Sequence, residues 1–233
     1  MKHIVAFSGG KDSTAMLLRM IELKMPIDMI LFADTTLEFP EMYEWINKIQ
    51  KIIPYKITRV KAKHTFDSWF YGIPKKGKLA NKHIRGFPLT VYPCWWARDS
   101  KIKPMDNASG KGNVIYIGIA KDEAKRAKAK MYQNKPNTYK FPLIEWGWKE
   151  ADCLKYLKTL NLKHPLYKIF KRTGCWLCPK QSKDSLKNLC IHYPKLWTKL
   201  KKYEKDSPKG FKPDFSLKYF EKTIDIKSIQ KKL

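Results

Sequence analysis

Apolar runs and their breaks divide the chain into alternating elements. Ile4-Val5-Ala6-Phe7 is a short apolar run rich in β-branched and aromatic types, the pattern of a buried strand. Two glycines follow, and then Ala15, Met16, Leu17, Leu18, Met20, Ile21 and Leu23 recur along a helix that Asp12, Ser13 and Thr14 can cap. The pattern predicts strands near 3–7, 28–33, 56–61 and 114–118, and helices near 13–24 and 41–52. Pro40 suits the first turn of the second helix. Strands alternating with helices predict an α/β fold, a doubly wound parallel sheet with its ligand at the carboxyl edge.

Beyond this unit, helical spacing around 149–157 makes Cys153 a core residue. The last segment is Lys-rich, with Tyr203, Phe211, Phe215, Tyr219 and Phe220 scattered through it, and predicts one or two docked helices and a mobile basic end. The expected division is a nucleotide-binding α/β part over 1–145, with an insertion near 64–110, and a mostly helical, cysteine-bearing part over 146–233.

Charge changes the picture. Lys and Arg number 48 against 21 Asp and Glu, a net +27 in 233 residues. Such self-repulsion has its usual physical use in attraction to a polyanion, so RNA or DNA is an expected partner. A Lys-rich solvated surface is the alternative. In the insertion, Trp69, Phe70, Tyr71, Trp95 and Trp96 are interleaved with Lys75, Lys76, Lys78, Lys82, Arg85, Arg98, Lys101 and Lys103. Cations beside stacking rings suit nucleic-acid strands; equally, the rings could pack inward. No apolar run is long enough to span a membrane, and Met1-Lys2-His3 leads straight into a strand, so a cytoplasmic protein is expected.

The chemistry begins where the first strand ends. Strand, glycine turn and helix N-terminus together form an anion site, to which Ser8, Ser13 and Lys11 add hydroxyls and a cation. Gly9 and Gly10 let the backbone approach the ligand. Neither Gly-x-x-x-x-Gly-Lys-Ser/Thr nor Gly-x-Gly-x-x-Gly fits here. Asp34 and Thr35 follow the second strand, where open sheets bind ligands. Gly118 ends the fourth strand, and Glu123 and Arg126 follow with ion-pair spacing. Five cysteines are unevenly spaced, so a disulfide framework is not expected, and Cys175-x-x-Cys178 suggests metal or redox chemistry.

Ser8-Gly9-Gly10-Lys11-Asp12-Ser13 resembles the pyrophosphate loop of enzymes that split ATP between its α and β phosphates. With Asp34-Thr35-Thr36 and Phe39-Pro40-Glu41 it resembles the phosphoadenosine phosphosulfate reductase family, as do Gly118 to Arg126, Pro165-Leu166-Tyr167, Gly174 to Pro179, and Tyr193 to Trp197. Thr36 replaces a family glycine, Met42 a threonine and Ala124 a serine. The resemblance implies ATP held at Ser8–Ser13, Asp12 or Asp34 helping to bind Mg2+, and Lys11 stabilising departing pyrophosphate. It places Thr35, Gly118, Glu123 and Arg126 near the nucleotide, with Lys11, Asp12, Asp34 and Glu123 in catalytic roles.

Cys94 stands where a cluster-bearing branch of the family has a cysteine. The resemblance then implies a [4Fe-4S] cluster on Cys94, Cys175 and Cys178, with Cys190, His192 or an open iron position completing it; zinc or no metal are the other readings. An open position could carry sulfide, as in the cluster-dependent tRNA thiolases that share this loop. The implied activity is an ATP-dependent sulfurtransferase acting on tRNA or DNA with a sulfur-donor or reductant protein. Sulfonucleotide reduction and non-catalytic nucleic-acid binding are the alternatives. Thioredoxin-dependent reductases carry a late Glu-Cys-Gly-Leu-His-like motif. No cysteine follows Cys190, so Cys175, Cys178 or Cys190 would have to substitute.

Overall fold

The computed structural model describes residues 1–76, 80–88 and 94–224. Lys78, Pro93 and the basic end from 225 lie outside the described residues. In chain order the first elements are β1 (His3–Ala6), α1 (Lys11–Glu22), β2 (Met29–Asp34), α2 (Pro40–Ile52) and β3 (Ile57–Lys61). Then come α3 (Phe66–Phe70), α4 (Trp95–Ala97), a π-helical turn (Arg98–Ile102) and α5 (Lys103–Ser109). β4 (Val114–Ile117), a 3-10 segment (Lys121–Lys128), β5 (Thr138–Lys140), α6 (Pro142–Glu145) and α7 (Glu150–Thr159) follow. α8 (Lys183–His192), α9 (Pro194–Asp206) and α10 (Leu217–Thr223) end the described chain.

The five strands form one parallel sheet in the order β3-β2-β1-β4-β5. The four expected strands and two expected helices are all present. The fifth strand was not expected: Thr138-Tyr139-Lys140 carries no apolar run, and its two outer residues are exposed. Side chains alternate along each strand, as the period of two demands. Val5, Phe7, Ile30, Phe32, Val114 and Tyr116 face the main core with α1, α2 and α7. Ile4, Leu31 and Ile115 face the other way, onto Met105 and Ala108 of α5. Helices therefore cover both faces of a continuously apolar parallel sheet.

The main core runs from Val5 to Ile224 and takes in α7, α8, α9 and α10. Much of the aromatic insertion belongs to it. Phe66, Phe70 and Trp96 are buried, and Phe66 stacks on Trp95 with centroids 5.6 Å apart. Arg85 lies over the Trp69 ring at 4.3 Å. Most of the interleaved rings thus pack inward, while Trp69 is half-buried and Tyr71 stays 37% exposed.

Strand order reverses at β1, between β2 and β4. Ligands of open α/β sheets bind outside the carboxyl ends of the strands at such a switch point. Gly118 shows how tightly this point is built. A Cβ there would lie 2.8 Å from Ser13 Cα and 2.9 Å from Ser13 N, so only glycine lets the end of β4 lie against the start of α1.

Candidate functional site

The loop after β1 is organised by its own hydroxyls. Ser8 Oγ and Ser13 Oγ are 2.9 Å apart, and the Ser8 amide donates to Ser13 Oγ at 3.2 Å. Ser13 and Thr14 hydroxyls both donate to the Gly10 carbonyl, at 3.1 and 2.8 Å. Gly9 has φ +77°, left-handed backbone that glycine adopts without strain, and a Cβ there would lie 2.6 Å from Met42 Sδ. α1 begins at Lys11 with no side-chain cap from Gly10. The Lys11 amide instead donates to the Tyr167 hydroxyl at 3.0 Å.

A cavity of about 400 Å3 opens beside this loop. Ser8, Ser13, Gly118, Thr173 and Gly174 line its polar end, with Arg126 among them. Phe32, Met105, Ile115, Ile117 and Tyr139 give it apolar walls, and Glu38 and Lys101 also line it. Lys11 and Asp12 are turned elsewhere. Lys11 Nζ lies 2.7 Å from Glu150 Oε2 and 3.2 Å from Asp12 Oδ2, and 5.6 Å from the Tyr167 centroid. Burial would lower the Lys11 pKa, but the bond to Glu150 and the field of Asp12 outweigh it and raise it. Asp12 is raised as well, because burial outweighs the attraction of Lys11. Its Oδ1 is buried without a hydrogen-bond partner among the described residues, an oxygen of the kind a hard Mg2+ ion takes.

Asp34 is 4% exposed and already engaged. Its Oδ1 accepts from the Thr36 amide and the Tyr43 hydroxyl, each at 2.8 Å, and Lys61 Nζ lies 3.8 Å from Oδ2. Burial and this bond push the Tyr43 phenol well above its ordinary range. Glu123 is held between two arginines: it pairs with Arg126 and with Arg172, the latter at 2.8 Å. It thereby orients Arg126, which lines the cavity.

Cys94, Cys175 and Cys178 all lie within electrostatic reach of Lys101, which lines the cavity. Cys175 Sγ donates to Thr35 Oγ1 at 3.4 Å, and Thr35 donates to Glu38 Oε1 at 2.7 Å. The Trp176 amide donates to the Leu37 carbonyl at 3.0 Å, and Trp96 Nε1 to the Thr35 carbonyl at 3.1 Å. These bonds tie the Cys-x-x-Cys turn and the Cys94 helix to the same loop after β2. Lys101 Nζ stands 3.8 Å from Glu38 Oε1. Burial would lower the Lys101 pKa, but Cys175, Glu38, Cys178 and Cys94 together hold it up. Burial also pushes the Cys175 thiol up to about 12 and raises Cys178.

Cys190 lies elsewhere. It is buried on α8, where burial pushes its thiol up to about 11 and the charges nearby are Glu221 and Lys201. Helical packing of Leu186, Leu189 and Cys190 puts it in the core, so the structure does not bring it to the other three. Cys153 is fully buried on α7, as its helical spacing indicates. As placed, no three His, Cys, Asp or Glu side chains among the described residues stand close enough to hold a metal ion. In donor chemistry, Cys94, Cys175 and Cys178 fit a soft, thiolate-bound metal group.

A family model for the phosphoadenosine phosphosulfate reductase domain matches residues 2–181. The chain belongs to the phosphoadenosine phosphosulfate reductase family. It is similar to an uncharacterized protein of Methanocaldococcus jannaschii, 26% identical over 211 residues, which are 84% of this chain and 40% of that protein. A second protein of that organism is 25% identical and covered to 45%. The chain thus spans under half the length of these two relatives. It is also similar to the adenosine 5'-phosphosulfate reductase of Bacillus cereus, 25% identical over 168 residues, 70% of this chain and 67% of that one. Among solved structures, the phosphoadenylyl-sulfate reductase of Candida auris superposes with a TM-score of 0.52. That match has 15% identity and covers 76% of this chain and 82% of that one. The U34-tRNA thiolase of Methanococcus maripaludis, with its [4Fe-4S] cluster, gives a TM-score of 0.43 at 18% identity, covering 88% and 71%.

Within this family member, several site residues carried no signal of their own in the sequence. Tyr167, in the Pro165-Leu166-Tyr167 stretch, and Thr173, just before Gly174, each have a hydroxyl 3.5 Å from the Cβ that Gly10 lacks. Glu150, Arg172 and Glu38 reach the site through contacts distant in sequence. Among the described residues, no helix is long and apolar enough to cross a membrane.

Proposed function

We propose that this family member binds ATP in the cavity, adenylates an oxygen of a nucleic-acid base and replaces that oxygen with sulfur held at Cys94, Cys175 and Cys178. One observation carries the reading. A single cavity runs from the Ser8 and Ser13 hydroxyls to Lys101 and Glu38, the pair beside Cys175. A nucleotide at one end and a thiol centre at the other are what coupled adenylation and sulfur transfer require.

In this reading the loop and the α1 N-terminus hold the β- and γ-phosphates. The apolar walls take the adenosine. Arg126, oriented by Glu123, offsets charge at the α-phosphate. The base oxygen attacks the α-phosphorus; the bond to the bridging oxygen breaks, and pyrophosphate leaves with the electron pair. Lys11 neutralises it after release from Glu150. A sulfur nucleophile then forms the C–S bond, and AMP leaves with the former base oxygen. Lys101 offsets thiolate charge throughout. An iron–sulfur group on Cys94, Cys175 and Cys178 supplies, when bound, a metal position for sulfide. The net charge of +27 supports a polyanionic acceptor.

A second reading, reduction of a sulfonucleotide to sulfite, is favoured by the cationic lining of the cavity by Arg126, Lys101 and Lys135. It needs no large acceptor. The deciding experiment incubates anaerobically purified protein with ATP·Mg2+, sulfide and bulk tRNA or DNA, and separately with labelled adenylyl sulfate and a dithiol. Acceptor-dependent pyrophosphate and AMP, lost in Ser13→Ala, are the expected result. Sulfite without pyrophosphate would replace the first reading by the second.

A further inference from the structure

The helix spanning α4, the π turn and α5 separates two concavities. Lys101, Ile102, Met105, Asp106 and Ser109 face the nucleotide cavity. Asp99, Lys103, Pro104, Asn107 and Ala108 face the opposite way, into a groove of about 650 Å3. The far wall of that groove is the end of β3 and the residues after it, Lys61 to His64, and Trp69 also lines it. The groove has no role in the chemistry described above.

Its composition is that of a polyanion seat. Lys61, Lys63 and His64 are exposed, and Lys103 keeps 60% of its side-chain surface. Asp99 is the one carboxylate lining the groove, and Lys103 at 2.7 Å and Arg98 at 3.1 Å already neutralise it. Lys61 keeps 59% of its side-chain surface with Asp34 Oδ2 at 3.8 Å, and Lys63 is exposed with no salt bridge among the described residues, so both charges can reach a ligand. The His64 ring meets Trp69 edge-on at 5.5 Å, which leaves an aromatic corner beside the lysines. Cations spaced along a trough with a ring at its end match the phosphates and a base of a flexible strand.

We infer that this groove binds a single-stranded segment of nucleic acid, with Lys61 and Lys63 on its phosphates and His64 against a base. The inference rests on the proposed nucleic-acid acceptor and places that acceptor relative to the nucleotide. A strand lying here is separated from the cavity by one helix, about 10 Å across. A single everted nucleotide can cross that distance.

The test is fluorescence anisotropy of the full chain with a short labelled single-stranded RNA, repeated over a range of salt. Lys61→Ala with Lys63→Ala should weaken binding about fivefold or more at moderate salt and lower the salt slope by about 1.4, two single-strand phosphate contacts. Lys61→Arg with Lys63→Arg should retain both. Lys155→Ala with Lys158→Ala, exposed positions on α7, should change neither. Equal losses from both alanine pairs would mean diffuse attraction and overturn the groove. Strong RNA binding untouched by the groove pair would overturn the groove but leave the acceptor reading standing. No binding to RNA at low salt would remove both.

Discussion

The Tyr167 hydroxyl accepts a 3.0 Å hydrogen bond from the Lys11 amide, the first N–H of α1. That amide belongs to the set that an anion at a helix N-terminus uses. A side chain 156 positions away therefore occupies one N–H of the proposed anion site, and a phosphate oxygen bound there would displace or join it.

Tyr167→Phe removes this competitor while keeping the ring that Lys11 lies over. One neutral hydrogen bond is worth about 1 kcal/mol net. Pyrophosphate should therefore bind about fivefold more tightly in calorimetric titration. Weaker binding would show that the hydroxyl itself contacts the ligand.

The cysteines separate into two groups by position. Protein reconstituted anaerobically with iron and sulfide should show charge-transfer absorption in the visible. Cys94→Ala, Cys175→Ala and Cys178→Ala should each lose most of it, and Cys190→Ala should keep it. Metal analysis of the same samples distinguishes iron from zinc. Retention in all four variants would remove the thiol centre from the proposed chemistry.

His164 gives a pH dependence of stability. Burial beside Trp45 pushes its pKa from 6.5 down to about 4, and its Nε2 has no hydrogen-bond partner among the described residues. The folded chain keeps it neutral where the unfolded chain takes up a proton. Stability is therefore complete above the unfolded pKa and falls as pH drops from about 6.5 towards 4, by about 3 kcal/mol in total. Denaturant midpoints across this window should show the loss, and His164→Asn should flatten it.

The sequence was most informative where physics is local. β1, β2 and β4 are apolar runs because parallel strands are covered on both faces, and the loop hydroxyls act on their own neighbours. β5 was hidden because an exposed edge strand needs no apolar run. Gly118 could be placed beside the loop, but only the packing of β4 on α1 gives the reason for a glycine. Lys11 and Asp12 follow the loop pattern, yet their direction is set by Glu150 on a distant helix. The basic, aromatic insertion left two readings open because composition does not say which way a ring points. Contacts with Tyr203 and Phe211 decide it.

The π turn at Arg98–Ile102 sets which side of its helix meets which concavity. Such a turn carries one residue more than an α-helical path, and one residue rotates everything downstream by about 100°. Met105 and Ser109 reach the cavity beside the loop, and Asn107 the opposite groove, only with that extra residue in place. A one-residue deletion there would keep the helix but swing both faces about 100° away from their concavities, so the phase of this segment carries information that its composition does not.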